Sequence, residues 1–339
     1  QHSGSIWMRK ANGDHVYALQ MIPPSKFVCA RKALRLAFLL VACMCDAAYA
    51  DSPPASFAYI LQADAFGKTK EAAVAKLAAC ERDWVVLDAA FDEETSWLPA
   101  DLEVIRKSRS GRKIIAYVSI GEAEDYRVYW KAEWRKNGKL TALAPPWMLP
   151  ENPRWKGNFP VKYWNADWQQ IILTSIAGAM SSGFDGVYLD IVDGFENFEQ
   201  DGSEFIDNRL NPETKQSYRR DMVDWVKTIV AAARAKNPAA IVVPQNGSQL
   251  LAHPDFIQAI NAIGIEDLFT EGNKVQPAEH TREVLDHLKK MADSGKPVLD
   301  IEYPKAPARQ AFAREQAQKN GVTWLITDRQ LRTLGSSGR

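Results

Sequence analysis

Two acids in this sequence, Asp190 and Glu266, each directly end a short apolar run. Asp190 closes "GVYLD" at 186–190, and Glu266 closes "IGIE" at 263–266. A pair of carboxyl groups in one cleft suits hydrolysis of a glycosidic bond, in which one acid protonates the leaving oxygen while the other acts as nucleophile or activates water. Asp193 follows Asp190 closely, and we expect it to tune that acid or to contact substrate.

Polar side chains directly after the apolar runs form a larger candidate set that is rich in acids and amides. The set comprises Gln62, Asp64, Asp88, Ser119, Glu122, Glu124, Asp190, Asp193, Gln245, Asn246, Glu266, Asp267, Glu302, Tyr303 and Asp328. In a barrel of parallel strands such residues converge on one face, where active sites lie.

Other chemistries have less support. The chain has five histidines, and none lies in an H-x-H or H-E-x-x-H spacing, so a zinc site is not expected. No serine lies in a G-x-S-x-G elbow. The acidic stretch after Asp190 lacks the ligand spacing of a calcium loop. We expect no metal and no cofactor, with a metal-dependent hydrolase using the acids from Asp190 to Asp201 as a weaker alternative.

Eight apolar runs, which we predict to be strands, alternate with stretches of helical period. The runs are Phe57–Leu61, Trp84–Leu87, Ile114–Ser119, Gly186–Leu189, Ile241–Val243, Ile263–Ile265, Pro297–Ile301 and Val322–Ile326; the helical stretches include Lys68–Cys80, Ala166–Ser182, Glu213–Lys236, Glu279–Asp293 and Ala308–Lys319. This alternation predicts right-handed βαβ units and a single-domain (β/α)₈ TIM barrel over residues 57–333, with a tail at 334–339. A doubly wound open sheet would need a Gly-rich turn after the first run, where only Gly67 is found.

Two connections are too long for plain loops between a strand and a helix. Residues 137–163 are rich in Pro, Gly and Trp, and residues 191–212 are rich in acids. Long loops inside a compact domain are usually functional. Six of the 11 tryptophans lie between 130 and 168. Their rings could stack on sugars or pack on the barrel, and Trp164 is the strongest candidate for sugar stacking.

The first fifty residues have the character of a leader. Basic residues precede an apolar run at 36–45, and "AYA" at 48–50 is typical of a signal-peptidase site, followed by a linker at 51–56. Residues 1–20 are interpreted as an upstream extension. We expect a secreted or periplasmic protein without an integral membrane segment after cleavage. The alternative is a lipoprotein with a lipid anchor at Cys43, because "LVAC" resembles a lipobox.

Composition indicates which classes of partner the domain after the leader could bind. Basic and acidic residues both number 42 in the whole chain, and the leader removes more basic residues than acidic ones, so the domain is mildly acidic. A nucleic-acid partner is not expected, because there is no basic stripe. Of the four cysteines only Cys80 lies outside the leader, so we expect a domain held together by its core rather than by disulfides. We also expect a monomer.

Six stretches together resemble the endo-α-1,4-polygalactosaminidase family of glycoside hydrolases (family 114). They are "IIAYVSIGEAEDYRVYW" (114–130), "PPWMLPENPRWKGNFPVKYWN" (145–165), "GFDGVYLDIVD" (183–193), "VVPQNGSQLL" (242–251), "IGIEDLFTEG" (263–272) and "VLDIEYP" (298–304). The resemblance runs in order through most of residues 55–333. It implies a TIM-barrel hydrolase of galactosamine-containing polysaccharide.

By motif position, the resemblance implies that Asp190 and Glu266 are catalytic, with Asp190 as nucleophile or base and Glu266 as general acid. Retention or inversion of the sugar stereochemistry stays open. The side chains expected to contact the sugar are Asp88, Tyr117, Ser119, Glu122, Trp164, Asp193, Asn246, Glu302 and Tyr303. The function predicted is therefore cleavage of an amino-sugar polysaccharide. The alternative is a non-catalytic carbohydrate-binding barrel associated with exopolysaccharide.

Overall fold

The eight apolar runs become eight parallel strands in the computed structural model, which describes residues 53–339. The strands are β1 (Phe57–Ile60), β2 (Trp84–Asp88), β3 (Lys113–Ser119), β4 (Gly186–Asp190), β5 (Ile241–Pro244), β6 (Ile263–Glu266), β7 (Val298–Glu302) and β8 (Thr323–Ile326). Strands β1 to β5 pair in chain order, as do β6, β7 and β8, and a parallel bridge from Gln245 to Gly264 joins the two sheets. The described residues thus form the predicted α/β barrel arrangement.

A further strand, β9 (Ser336–Gly338), lies in the segment predicted to be a tail. It runs antiparallel to β8. The hydroxyl of Ser337 accepts a hydrogen bond from the backbone N–H of Phe57 at 2.9 Å and donates to the carbonyl of Trp324 at 2.7 Å. One side chain therefore links the first and last strands of the barrel.

Helices cover the outside of the strands in the described part of the chain. They are α1 (Ala63–Gly67), α2 (Lys70–Ala79), α3 (Pro99–Lys107), α4 (Ala166–Ser181), α5 (Glu196–Glu199), α6 (Tyr218–Lys236), α7 (Pro254–Ala259), α8 (Ala278–Asp293) and α9 (Pro307–Lys319). The five predicted helical stretches are all present, and only α6 begins well after its predicted start at Glu213. Ser217 caps it by accepting from the N–H of Arg220, and the preceding residues form a turn in which Asn211 and Thr214 donate to Asp221.

Side chains along each strand alternate between two buried layers. On β4, Tyr188 belongs to the cluster inside the barrel, which also holds Tyr59 and Tyr117, while Val187 and Leu189 face the helices. Asp190 is two residues beyond Tyr188 and continues the inward row. The same alternation makes Gln245 follow Val243 on the inward side of β5.

The two long connections are structured. In the first, the short strand Asn158–Pro160 pairs antiparallel with Glu122–Glu124 after β3, and Arg135–Lys136 forms a hairpin with Lys139–Leu140. In the second, a 3₁₀ turn at Val192–Phe195 leads into α5 and the hairpin of Gln200–Asp201 with Glu204–Phe205. Both insertions follow strand ends, so both lie on the same face as the candidate carboxyls.

Candidate active site

Asp190 ends β4 with both carboxyl oxygens bound to donors. Oδ1 accepts from the N–H of Ile191 at 2.7 Å and from Nε2 of Gln245 at 3.1 Å. Oδ2 accepts from the hydroxyl of Tyr117 on β3 at 2.7 Å. Donors that stabilise an ionised carboxylate surround this acid, which suits a residue that reacts as an anion.

Glu266 ends β6 in a different environment. Its Oε1 accepts a hydrogen bond from the hydroxyl of Tyr303, which directly follows β7. Its Oε2 accepts from Nε2 of Gln245 at 3.0 Å, and its backbone N–H donates to Oδ1 of Asn246 at 3.1 Å. Side chains that follow the two flanking strands, β5 and β7, thus hold this carboxyl group.

The amide of Gln245 joins the two acids. Its Nε2 donates to Oδ1 of Asp190 and to Oε2 of Glu266, so these oxygens lie within about 6 Å of each other. Gln245 is 2 % exposed. It occurs among the strand-end residues picked out by the sequence, but it was not predicted to belong to the site.

A tight turn follows each of these three residues. Ile191, Asn246 and Asp267 come directly after Asp190, Gln245 and Glu266, and all adopt left-handed backbone conformations with φ of 55°, 61° and 53°. Such a conformation is unusual for a β-branched residue such as Ile191 and costs about 1–3 kcal/mol. The turns end the three strands abruptly and leave the inward side chains at the barrel mouth.

The environments separate the charge states of the two acids. Burial, reinforced by the negative charge of Asp190, raises the pKa of Glu266 to about 7. Burial also raises the pKa of Asp190, but the donors Tyr117, Ile191 and Gln245 oppose this rise. Glu266 is therefore the better proton donor near neutral pH, and Asp190 the better anion.

The phenols beneath the carboxyls stay protonated. Burial, with Asp190 adding to it, raises the pKa of Tyr117 well above its usual value, and burial together with Glu266 does the same for Tyr303. Both side chains are 5 % exposed. Each phenol therefore remains a hydrogen-bond donor to its carboxyl. These two predicted site residues do reach the acids, although through the barrel interior.

Asp193 lies close to the pair, as expected from its spacing. Burial raises its pKa well above the usual value, and the charges of Asp190, Glu196 and Glu266 add to the rise. A hydrogen bond from its own backbone N–H opposes this rise. A half-buried acid of the 3₁₀ turn thus lies near Asp190 and Glu266.

Asp88 has a different environment from that predicted. Its carboxyl forms a bidentate ion pair with Arg127, with both N–O distances at 2.8 Å. Arg127 also donates to Glu124 at 2.6 Å, and its guanidinium lies 6.0 Å from the ring centroid of Tyr117. Asp88 therefore holds Arg127 beside Tyr117. Sequence reasoning missed Arg127, although it lies within the "GEAEDYR" stretch.

Four other side chains that were predicted to contact the sugar form hydrogen bonds within the protein. The hydroxyl of Ser119 donates to the carbonyl of Glu122 at 3.1 Å, and the carboxyl of Glu122 accepts from Asn152 at 2.7 Å. Asn246 supports the backbone of Glu266, as described above. Glu302 is fully buried and accepts from the N–H groups of Phe269 and Thr270, at 2.6 and 3.1 Å. These bonds order the strand ends, and contact of the four side chains with a sugar stays a prediction.

Trp164, the strongest predicted stacking residue, packs in an aromatic cluster of the insertions. Its ring centroid lies 4.8 Å from that of Phe198 and 5.3 Å from that of Tyr218, and its Nε1 donates to Glu213 at 2.8 Å. Trp130, Trp134, Trp147 and Trp168 form a chain of ring contacts at 5.0–5.9 Å. Most of the clustered tryptophans therefore pack against one another, and this chain of rings joins Trp147 of the first insertion to Trp168 on α4. Trp155 is 54 % exposed.

Residues 53–339 contain no group of three or more His, Cys, Asp or Glu side chains arranged to hold a metal ion. Within the same range, no helix combines the length and hydrophobicity needed to cross a bilayer. Cys80 is a free thiol. The predicted signal peptide and Cys43 lie outside the described residues.

Two carboxyls at the carboxyl ends of parallel barrel strands define a barrel of the glycoside-hydrolase type. The chain belongs to glycoside-hydrolase family GH114, whose pattern matches residues 43–338. The predicted family and fold are thereby confirmed.

Two uncharacterized relatives align with much of this chain. An uncharacterized protein of Deinococcus radiodurans is 36 % identical over 251 residues, which is 74 % of each chain. An uncharacterized protein of Methanocaldococcus jannaschii is 35 % identical over 223 residues, 65 % of this chain and 60 % of that protein's length.

Two solved structures share the fold. The glycoside hydrolase domain of PelA from Pseudomonas aeruginosa aligns with a TM-score of 0.58 and 20 % identity, covering 84 % of this chain and 98 % of that one. Aspergillus fumigatus Ega3, crystallised with galactosamine, aligns with a TM-score of 0.52 and 21 % identity, covering 76 % and 88 %.

Proposed function

We propose that this chain hydrolyses an amino-sugar polysaccharide of the galactosamine type, with Asp190 as nucleophile and Glu266 as general acid. The observation that carries the proposal is the shared donor Gln245, whose Nε2 binds both carboxyls. The bridge keeps Oδ1 of Asp190 and Oε2 of Glu266 within about 6 Å of each other, which leaves room for the roughly 5–5.5 Å carboxyl separation of retaining enzymes, and we propose that mechanism.

In the first step the carboxylate of Asp190 forms a bond to the anomeric carbon while the glycosidic C–O bond breaks. Glu266 donates its proton to the departing oxygen, and its pKa of about 7 keeps that proton available near neutral pH. In the second step Glu266 takes a proton from water, which displaces Asp190 from the sugar. Tyr117 and Tyr303 keep the two carboxyls oriented throughout.

The choice of an amino-sugar polymer rests on charge and on family. An unacetylated galactosamine residue is cationic, and Asp190 and Asp193 are acids near the end of β4 whose ionised forms a bound ammonium group would favour. Ega3, which shares the fold, was crystallised with galactosamine. A cationic polymer would therefore be attracted to this mouth of the barrel, with attraction weakening as salt is added.

Export of the enzyme is part of the proposal, because the leader pattern ends in "AYA" at 48–50 and a polysaccharide substrate lies outside the cell. Expression in a bacterial host followed by intact-mass measurement tests it. Cleavage after Ala50 supports export. A lipid-modified chain beginning at Cys43 supports the lipoprotein alternative, and an uncleaved cytoplasmic product contradicts both.

Activity is tested by incubating the purified protein with galactosamine-containing and control polymers while reducing ends are counted. We expect release by the wild type and a loss of at least about 10³-fold in Asp190→Asn and Glu266→Gln. Asp64→Asn is the matched control, because Asp64 is an exposed acid following β1 on the same rim. Binding without release, unchanged in both variants, would support the non-catalytic barrel instead.

The assignment of roles has its own test. With an activated glycosyl donor, azide should restore turnover of Asp190→Ala and give a glycosyl azide of inverted anomeric configuration, because azide replaces the missing nucleophile. In Glu266→Ala azide should give retained configuration. The opposite pattern would exchange the two roles.

A further inference from the structure

Arg329 is a charged residue of the barrel mouth that the reaction described above does not use. It lies in the loop after β8, and its guanidinium is 4.0 Å from the ring centroid of Tyr303. The same guanidinium donates to Oδ1 of Asp267 at 2.7 Å. Tyr303 donates a hydrogen bond to the carboxyl of Glu266, and Asp267 follows Glu266 in the chain. Arg329 therefore contacts both the hydrogen-bond partner and the chain neighbour of Glu266.

The loop that carries Arg329 is itself anchored. Asp328 accepts hydrogen bonds from the N–H groups of Gln330 and Arg332 at 3.1 Å, which shapes the turn. The carbonyl of Leu331 accepts from the N–H of Leu61 at 3.0 Å and so ties the loop to the end of β1. The guanidinium is therefore presented from a fixed turn rather than from a free chain segment.

We propose that Arg329 is a positioning residue for Glu266, which it acts on by holding Tyr303 against the carboxyl and Asp267 in its left-handed turn. The proposal rests on the function proposed above, in which Glu266 is the proton donor. A cation stacked on a phenol ring restricts the ring to one position. An ion pair to Asp267 stabilises a backbone conformation with φ of 53° that an Asp side chain adopts at a cost.

The charge of Arg329 also acts on Glu266 directly. The ionisable groups that face this carboxyl are the acids Asp190, Asp193 and Asp267, the phenols Tyr59, Tyr188 and Tyr303, and the guanidinium of Arg329. Burial and Asp190 raise the pKa of Glu266, whereas Tyr303 and Arg329 lower it. Removal of Arg329 takes away a charge and loosens a hydrogen bond, and both changes favour the protonated carboxyl.

The test compares Arg329→Gln with Arg329→Lys and with the control Arg332→Gln. Arg332 lies in the same loop with similar exposure, but its ion pair is to Asp328. We expect Arg329→Gln to lower kcat about tenfold with little change in KM, and to move the alkaline limb of kcat/KM upward by about half a pH unit. Arg329→Lys should restore most of the pH profile, because it returns the charge.

A second measurement needs no substrate. The full-length protein is labelled with glutamate carrying ¹³C at Cδ, and the Glu266 signal is identified by its disappearance in Glu266→Gln. We expect its titration midpoint to rise in Arg329→Gln and to stay unchanged in Arg332→Gln. A midpoint and a pH profile in Arg329→Gln that match those of Arg332→Gln would overturn the proposal. Lack of activity on every polymer would instead contradict the proposed function, since the titration still reports on Arg329.

Discussion

Gly121 lies directly against Ile191, the residue that follows Asp190. A Cβ at Gly121 would collide with the carbonyl oxygen of Ile191 and come within 2.7 Å of its Cγ2. The backbone of Gly121 also binds this region, because its carbonyl accepts from the N–H of Val161 at 3.1 Å. The left-handed turn that presents Asp190 is thus possible only where residue 121 has no side chain.

Substitution Gly121→Ala should therefore displace the turn at Ile191 and with it the carboxyl of Asp190. We expect kcat to fall at least about tenfold, and the free energy of unfolding to fall by about 1–3 kcal/mol, because the clash is with backbone. Steady-state kinetics and chemical denaturation measure the two effects. Gly178→Ala in α4 is the control: that position has open space, so helix propensity should leave stability unchanged or slightly higher. Equal behaviour of the two variants would contradict the prediction.

Gln245→Leu should disable the site with little change in side-chain volume. The substitution removes the N–H groups that both carboxyls share, so the repulsion between Asp190 and Glu266 is no longer screened by a donor. We expect kcat to fall by about 10²–10³-fold. Gln169→Leu, which removes a side-chain bond to the carbonyl of Tyr163 away from the acids, is the control. An active Gln245→Leu would show that the bridge does not matter for catalysis.

The activity should follow a bell-shaped pH profile. Glu266 must carry a proton, so kcat/KM should fall as pH rises through about 7, the value to which burial and Asp190 raise its pKa. On the acid side activity should fall as Asp190 gains a proton, and burial places that limb above the ordinary range of an aspartate. Rates from about pH 4 to pH 9 measure both limbs.

A substrate with a good leaving group supplies the control for the alkaline limb. Departure of such a group needs no proton, so the limb assigned to Glu266 should weaken or vanish in the glycosylation step. An alkaline limb that is unchanged with this substrate would assign the titration to another group.

Glu302→Ala should lower kcat without raising KM. The carboxyl of Glu302 accepts from the N–H groups of Phe269 and Thr270, just after Glu266, so its removal leaves two buried donors unpaired. We expect a loss of about 2–5 kcal/mol in stability and looser positioning of Glu266. Glu302→Gln should recover part of the stability, since its amide oxygen still accepts one bond. A raised KM with unchanged stability would instead support the sugar contact predicted from sequence.

The search for polar residues at the ends of the apolar runs found both acids, because each continues the row of side chains that points into the barrel. It did not separate inward from outward residues at β7, where Leu299 and Ile301 face the barrel interior. Tyr303 continues that row and reaches Glu266, whereas Glu302 points to the helices and binds backbone. Applying the two-residue alternation of a strand to these candidates would have distinguished them.

The role of the tryptophans could not be predicted from the sequence. Composition placed six of them near the predicted cleft, but a flat ring packs against other rings as readily as against a sugar. Trp134, Trp147 and Trp168 are all buried. The packing of such a ring depends on partners that sequence spacing cannot place, such as Phe159, whose ring centroid lies 5.0 Å from that of Trp130.

The amino-acid sequence by itself determined the alternation of strands and helices, the ends of the strands and the two acids that occupy them. These features depend on local hydrophobic period and on motif. Only the tertiary structure decided which groups surround each acid. Gln245 bridges the pair, and Arg127 pairs with Asp88 across 39 residues. Arg329, in the loop after the eighth strand, contacts Tyr303 and Asp267 next to Glu266. Charge and pKa depend on distances of a few ångströms between such remote residues, and the closure of the barrel sets those distances.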